Sequence, residues 1–329
     1  MGKARRVIAP FRKRLIIMVT KIKKPRERIG LKSDRLFYCL ILLFPVAQFL
    51  IFYIGVNLNS FLLAFKDIAL DENLQYHTAW SVGAFKTAFD LVRSAEMLQI
   101  IKISFLSYVV KTAISLPLGL LFSYYIAKKL FGAKFFRIIL FLPSILSTIV
   151  MVSLFKYFVN NAIPAIAGDI TGRTEVLSLL SMSNGVQYAT IMFYNLWIGF
   201  GVSVLMYANA MSGISPSVLD AAKIDGATGF KEFWHITLPS IFPTLSVFLI
   251  AGVAAIFTDQ LNLYSFYGSD PSVPFKTFGY YLFFQTNKYV NDMSHYPALS
   301  AFGLMMTAVA VPLTFIVKYL LDKYGPRED

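Results

Sequence analysis

MSGISPSVLDAAKIDGATGFKEFWHITLP, residues 211–239, separates two apolar runs, 186–211 and 241–257, each long enough to cross a membrane. Ser215 followed by Pro216 predicts a helix start, with a hydroxyl at the cap and then a residue whose missing N–H costs nothing in the first turn. Val218, Leu219, Ala221 and Ala222 continue that helix, and Asp220 suits the positive end of its dipole. Gly226 is placed to stop it by adopting a left-handed conformation. A second short helix is predicted from Thr228, carrying Phe230, Phe233 and Trp234 and ending before Pro239. A connector needs only about six residues. On composition alone, two readings of this longer, partly apolar hairpin stand: it docks another protein, or it rests on the protein's own ends.

The rest of the chain places that hairpin at a membrane. Of 329 residues 57% are apolar and 15% charged, and the mean hydropathy is +0.61. Soluble domains carry about 45–50% apolar and about 25% charged residues, so this is an all-α, polytopic membrane protein. Disorder, collagen, a coiled coil and a disulfide scaffold are excluded by the same figures. Six spans are predicted: 36–56, 103–127, 135–158, 186–211, 241–257 and 297–321. The apolar stretches 15–20 and 281–284 are too short to span, and the first is also too short for a cleavable signal peptide. The chain divides into a basic tail (1–35), a six-span membrane domain (36–324, with the loop 212–239) and a short end (325–329). Cys39 is the only cysteine and can form no internal disulfide. His77, His235 and His295 are far apart, so no metal-ligand spacing exists.

The net charge of +13 has a side. The tail 1–35 is densely basic, opposed only by Glu27 and Asp34, and Lys128, Lys129, Lys134, Arg137, Lys223, Lys231, Lys323 and Arg327 fall on the same side. Lys66, Lys86, Arg93, Arg173, Lys276 and Lys288 fall on the other. Basic flanks are retained in the cytoplasm, so both termini are expected there, in the cell membrane. The tail reads as topogenic charge attracted to anionic lipid. Nucleic-acid binding would want aromatic stacking positions that Phe11 alone does not supply.

Asp220-Ala221-Ala222, then Gly226-Ala227, then Ile236-Thr237-Leu238-Pro239, resembles the coupling loop of permease subunits of binding-protein-dependent ABC importers. The family pattern is Glu-Ala-Ala, three residues, Gly-Ala, and later Ile-x-Leu-Pro; Asp220 stands here for the glutamate, one methylene shorter. Phe131-Gly132 with Phe136-Arg137 and Phe141-Leu142-Pro143, and Tyr296-Pro297-Ala298-Leu299-Ser300, are similar to segments of the carbohydrate-uptake type. Gly268-Ser269-Asp270-Pro271 is a weaker likeness.

The resemblance implies a type I ABC importer permease fold and four kinds of partner. These are a second permease subunit, an ABC ATPase dimer, an extracytoplasmic solute-binding protein and a small-molecule cargo, with an oligosaccharide favoured by the likeness to sugar-uptake subunits. It assigns ATPase coupling to Asp220, Ala221, Ala222, Asp225, Gly226, Ala227, Leu238 and Pro239. The chain carries no Gly-x-x-x-x-Gly-Lys-Ser/Thr loop. It is therefore expected to be no enzyme and to hold no cofactor, with ATP and Mg on the partner ATPase.

A substrate path should appear as polar residues on one face of a span. Tyr108, Lys111 and Ser115, together with Ser104, follow helical spacing. Lys111 reads otherwise as a snorkelling side chain or one half of an internal ion pair. Tyr194, Asn195 and Trp197, with Tyr207, are further candidates, for which packing is the competing reading. The small residues Gly199, Ser203, Ser300, Gly303, Thr307 and Thr314 read as helix-packing positions. Alternatives to sugar uptake are another organic solute in the same machine, or a membrane scaffold or receptor holding a cytoplasmic partner. A membrane-embedded enzyme would need a paired nucleophile and base at one depth, and the acids and histidines lie almost wholly in loops.

Overall fold

The computed structural model describes residues 32–71, 75–173, 176–270 and 273–326. The readings made for most of the basic tail, for 15–20 and for Arg327 lie outside them. The chain forms two units, Met1–Asn59 and Ser60–Asp329. In the first, α1 (Lys32–Gln48) runs through Pro45 into a wide, π-type stretch, Phe49–Gly55, where Phe49 stacks on Tyr53 at 5.0 Å. The helix continues as α2 (Val56–Leu63).

The second unit takes in the end of α2 from Ser60, followed by an antiparallel hairpin, β1 (Lys66–Leu70) and β2 (Tyr76–Trp80), in the register Lys66↔Trp80 to Leu70↔Tyr76. Sequence periodicity does not announce it, and it is a minor addition to a helical fold. Then come α3 (Gly83–Val92), the long α4 (Ala95–Ala127), α5 (Ala133–Ile145), α6 (Thr148–Tyr157) and α7 (Ile163–Thr171). α8 (Asn184–Ser212) follows, then α9 (Pro216–Ile224), α10 (Phe230–Glu232), α11 (Leu238–Ser240), α12 (Phe242–Ala255), α13 (Leu263–Tyr267), α14 (Phe278–Lys288) and α15 (Tyr296–Tyr324).

Among the described residues, five helices are long and apolar enough to cross a membrane: Leu36–Leu63, Ala95–Ala127, Thr148–Thr171, Asn184–Ser212 and Met293–Tyr324. The count reaches six if the pair Phe230–Ser240 and Phe242–Ala255, bent by 67°, is taken as one broken span. The expected third span, 135–158, is not continuous. Its backbone turns extended at Leu146, leaving α5 as a separate helix, and the helix of spanning length is Thr148–Thr171. Pro143, inside α5, has no N–H to offer the helix and precedes this break.

The second hairpin helix was expected to stop before Pro239, and it does not. Between α10 and α11 the turns widen over Phe233–Thr237, where the N–H of Leu238 bonds the carbonyl of Phe233, five residues back. Pro239, which has no N–H, falls in the first turn of α11 just beyond this shift, where the missing donor is tolerated. The bend comes two residues later, at Ile241.

The helices meet where side chains vanish. α5 crosses α8 at Gly201, where a Cβ would stand 1.9 Å from the Leu140 carbonyl oxygen. α14 begins against the Thr258 carbonyl at Gly279, where a Cβ would stand 2.2 Å away. Gly199 and Gly303, expected as packing positions, have open space where a Cβ would go. One core gathers Phe155, Ile191, Tyr194, Leu261 and Phe266; a second gathers Met97, Ile100, Phe278 and Phe302.

Candidate functional site

The hairpin 215–239 is built from local signals. Pro216 opens α9, and the Ser215 carbonyl accepts from the N–H groups of Val218 and Leu219 at 3.1 and 3.3 Å. The Ser215 hydroxyl does not cap the helix, because it pairs with the Ser217 hydroxyl at 2.8 Å. Gly226 ends the helix at φ 78°, letting the Ala227 N–H reach the Ala222 carbonyl at 2.8 Å. Nothing lies within 4 Å of a Cβ there, so glycine is required by backbone conformation alone. Gly229, at φ 57°, is a second such turn that motif reading overlooked.

One face of the hairpin is exposed. Asp220, Ala221, Asp225 and Gly226 reach solvent, Ala227 is half-buried and Ala222 is buried. Asp220 pairs with Lys223 at 2.9 Å, and that hydrogen bond holds the lysine above its usual pKa. Ile224 is 87% exposed, and Phe230 stacks on Trp234 with both rings in solvent.

The other face is anchored to α4. Phe233 is buried against Tyr124, ring centroids 5.1 Å apart, within a cluster that includes Leu120, Tyr207, Met211 and Ile241. Half-buried Leu238 packs on the same cluster, and Pro239 beside it is half-buried. The Tyr124 hydroxyl donates to the Gly229 carbonyl at 3.0 Å. Glu232, 3% exposed, forms an ion pair with Lys128 just past the end of α4. Neither Glu232 nor Tyr124 belongs to the motif: Glu232 sits on a helix too short to show a pattern, and Tyr124 lies on α4, distant in sequence from the hairpin it holds.

α4 continues from this anchor to a cavity of ≈ 190 Å³ between α4, α8 and α12. Tyr108, Lys111 and Ser115 line it, joined by Thr112, Ser203 and Tyr207. Lys111 Nζ meets Asp259 Oδ2 at 2.9 Å, and both side chains are about one-third exposed (37% and 34%). Asp259 Oδ1 accepts from the Leu261 N–H at 2.8 Å. The two charges lining the cavity therefore cancel. Ser104 and Ser107 are committed elsewhere, to the Phe278 N–H and the Tyr188 hydroxyl. Tyr108, Thr112 and Ser115 line the cavity, and their hydroxyls have no hydrogen-bond partner among the described residues. Gly252 keeps the wall open, since a Cβ there would stand 2.9 Å from the Tyr108 ring.

Tyr194, Asn195 and Trp197 do not line this cavity. Tyr194 is fully buried between Phe155 and Phe266. Trp197 is exposed, its ring 6.4 Å from that of Phe155. Asn195 is buried; its amide donates to the Ile191 and Leu261 carbonyls at 2.9 Å each, and its oxygen accepts from Asn262 at 2.8 Å. Leu261 and Asn262 both have left-handed backbones, at φ 49° and 55°. Asn195 thus holds the turn that presents Asp259, and no sequence signal tied the two together.

The helices of spanning length, with a hairpin tied to α4 and a neutral polar cavity along the same helix, are those of a multi-pass membrane protein. The chain belongs to the family of binding-protein-dependent transport system inner membrane components, whose pattern matches residues 115–327. It is 27% identical over 175 residues to the multiple sugar-binding transport system permease protein MsmF of Streptococcus mutans, covering 52% of this chain and 60% of that one. It is 27% identical over 218 residues to the arabinooligosaccharides transport system permease protein AraP of Bacillus subtilis, covering 63% and 66%. The chain spans less than two thirds of the length of either relative. Its fold is similar to that of a bacterial alginate ABC transporter chain crystallised with an alginate pentasaccharide-bound periplasmic protein. The TM-score is 0.68 at 19% identity, over 92% of this chain and 98% of that one.

Proposed function

We propose that the chain is the transmembrane permease subunit of an ATP-driven importer, passing an oligosaccharide from an extracytoplasmic binding protein across the cell membrane. It works beside a second permease subunit, with both termini cytoplasmic, and a separate ATPase dimer supplies the energy through the 215–239 hairpin. The observation that carries this reading is the two-faced hairpin: small and aromatic residues exposed on one side, and a buried tie to the cavity-lining helix on the other. Small residues permit close approach of a partner, and the tie gives a movement of the hairpin a route into α4.

The cavity supports an uncharged cargo. A phosphodiester or other anion would want a free cation, and Lys111 is already neutralised by Asp259. Hydroxyl-rich lining suits a sugar's hydroxyls, and the names of MsmF and AraP point the same way. At ≈ 190 Å³ the cavity falls below the roughly 300–1,000 Å³ of complete ligand sites, which agrees with a path completed by a second subunit.

Gentle detergent co-purification from the native membrane, with mass spectrometry of the partners, tests the proposal. The expected result is an ATPase carrying a phosphate-binding loop together with a second six-span protein. Recovery of the chain alone, under conditions that keep other membrane complexes intact, would overturn it.

A further inference from the structure

A second cavity, of ≈ 490 Å³, lies between the end of α4, the start of α5 and the end of α8. Lys129, Lys134 and Arg137 line it with Asn209, and no acidic residue does. None of the three cations makes an ion pair among the described residues. Lys129 is held at φ 53°, a region that lysine rarely adopts, in a turn closed by its own N–H on the Ile126 carbonyl and by the Tyr125 hydroxyl on the Phe131 carbonyl. The fold thus keeps three like charges around one groove without a counter-charge, in a strained turn, which points to an anion from outside the chain.

The surroundings say which kind of anion. α4 is long and apolar enough to cross a membrane and ends at Ala127, so the groove lies beside one end of a spanning helix. Leading away from it, Phe135, Ile138, Leu142 and Ile145 are exposed at spacings of three, four and three, one apolar face of α5. Phe131 stands 97% exposed at the rim. A free phosphate would satisfy the cations and leave the apolar face uncovered; an anionic phospholipid uses both. We propose that this groove is a binding site for an anionic phospholipid. Its phosphate accepts from Lys129, Lys134, Arg137 and the Asn209 amide, and its acyl chains lie along the exposed face of α5.

The test is native mass spectrometry of the purified protein, with whatever subunits accompany it, titrated in detergent with phosphatidylglycerol, phosphatidylcholine or inorganic phosphate. Detergent removes the bulk surface potential that would attract any basic protein to an anionic bilayer. Phosphatidylglycerol is expected to be retained at least about tenfold better than phosphatidylcholine and not to be displaced by phosphate. Lys129→Gly removes a cation while suiting the left-handed backbone; it, Lys134→Gln and Arg137→Gln should each weaken retention about fivefold. The triple variant should lose the preference, whereas Lys86→Gln, Lys318→Gln and Lys323→Gln together should keep it. Equal retention of the two lipids, a preference that survives the triple variant, displacement by inorganic phosphate, or a co-purified subunit that blocks lipid from the groove would each overturn the proposal.

Discussion

Asp259 decides the character of the cavity. One carboxylate oxygen neutralises Lys111 and the other holds the Leu261 N–H. Asp259→Asn keeps an oxygen for the backbone bond while leaving Lys111 an unpaired cation beside the path. The variant is expected to cut uptake of a neutral oligosaccharide several-fold and to make that uptake sensitive to an oligouronate competitor. Lys111→Met combined with Asp259→Asn should restore neutral uptake and remove the sensitivity. Competition assays with labelled oligosaccharide check both, and an Asp259→Asn protein indistinguishable from wild type would refute the role. Sequence made Lys111 visible because a lysine inside a span is costly. It left Asp259 hidden, because that residue sits in a short loop 148 positions away and nothing local marks the pairing.

Among elements, the hairpin and its anchor were legible to different degrees. Pro216 and Gly226 act through their own backbones, so α9 and its end could be read directly, whereas the expected Ser215 hydroxyl cap is replaced by a bond to Ser217. Pro239 misled, because a wide turn upstream shifts the hydrogen-bond register and lets a helix pass through a proline. The pair between Lys128 and the buried Glu232 carboxylate belongs to tertiary packing and had no local signature. Glu232→Ala strands Lys128, which reaches partly into solvent, so a loss of about 2 kcal/mol of local stability is expected. Its sharper consequence is functional: ATP hydrolysis by the assembled complex should persist while uptake per ATP falls. The exchanged pair, Lys128→Glu with Glu232→Lys, should recover part of the coupling. Unchanged uptake per ATP in Glu232→Ala would remove the anchor from the account. The α5–α8 crossing makes a separate prediction. Any Cβ at Gly201 meets the Leu140 backbone rather than a movable side chain. Gly201→Val should therefore lower the melting temperature in detergent and the yield of assembled protein, whereas Gly199→Ala, with open space around it, should do neither.

For the molecule as a whole, composition and span length gave the membrane class, and one loop gave the family, because both are properties of the chain itself. The two-strand hairpin, the break at Leu146 and the retreat of Tyr194 and Asn195 into the interior depend on neighbours distant in sequence. The central claim is that ATP hydrolysis on a partner moves cargo through this chain by way of the 215–239 hairpin. Gly226→Leu tests it: leucine at φ 78° costs roughly 1–2 kcal/mol and reshapes the turn, while open space around the position spares the rest of the fold. The decisive measurement is ATP-driven accumulation of labelled oligosaccharide in proteoliposomes holding the co-purified complex and its binding protein, wild type against Gly226→Leu. The account predicts accumulation by the wild type and its loss in the variant, with the complex still assembled and ATP still hydrolysed; normal accumulation by Gly226→Leu would contradict it.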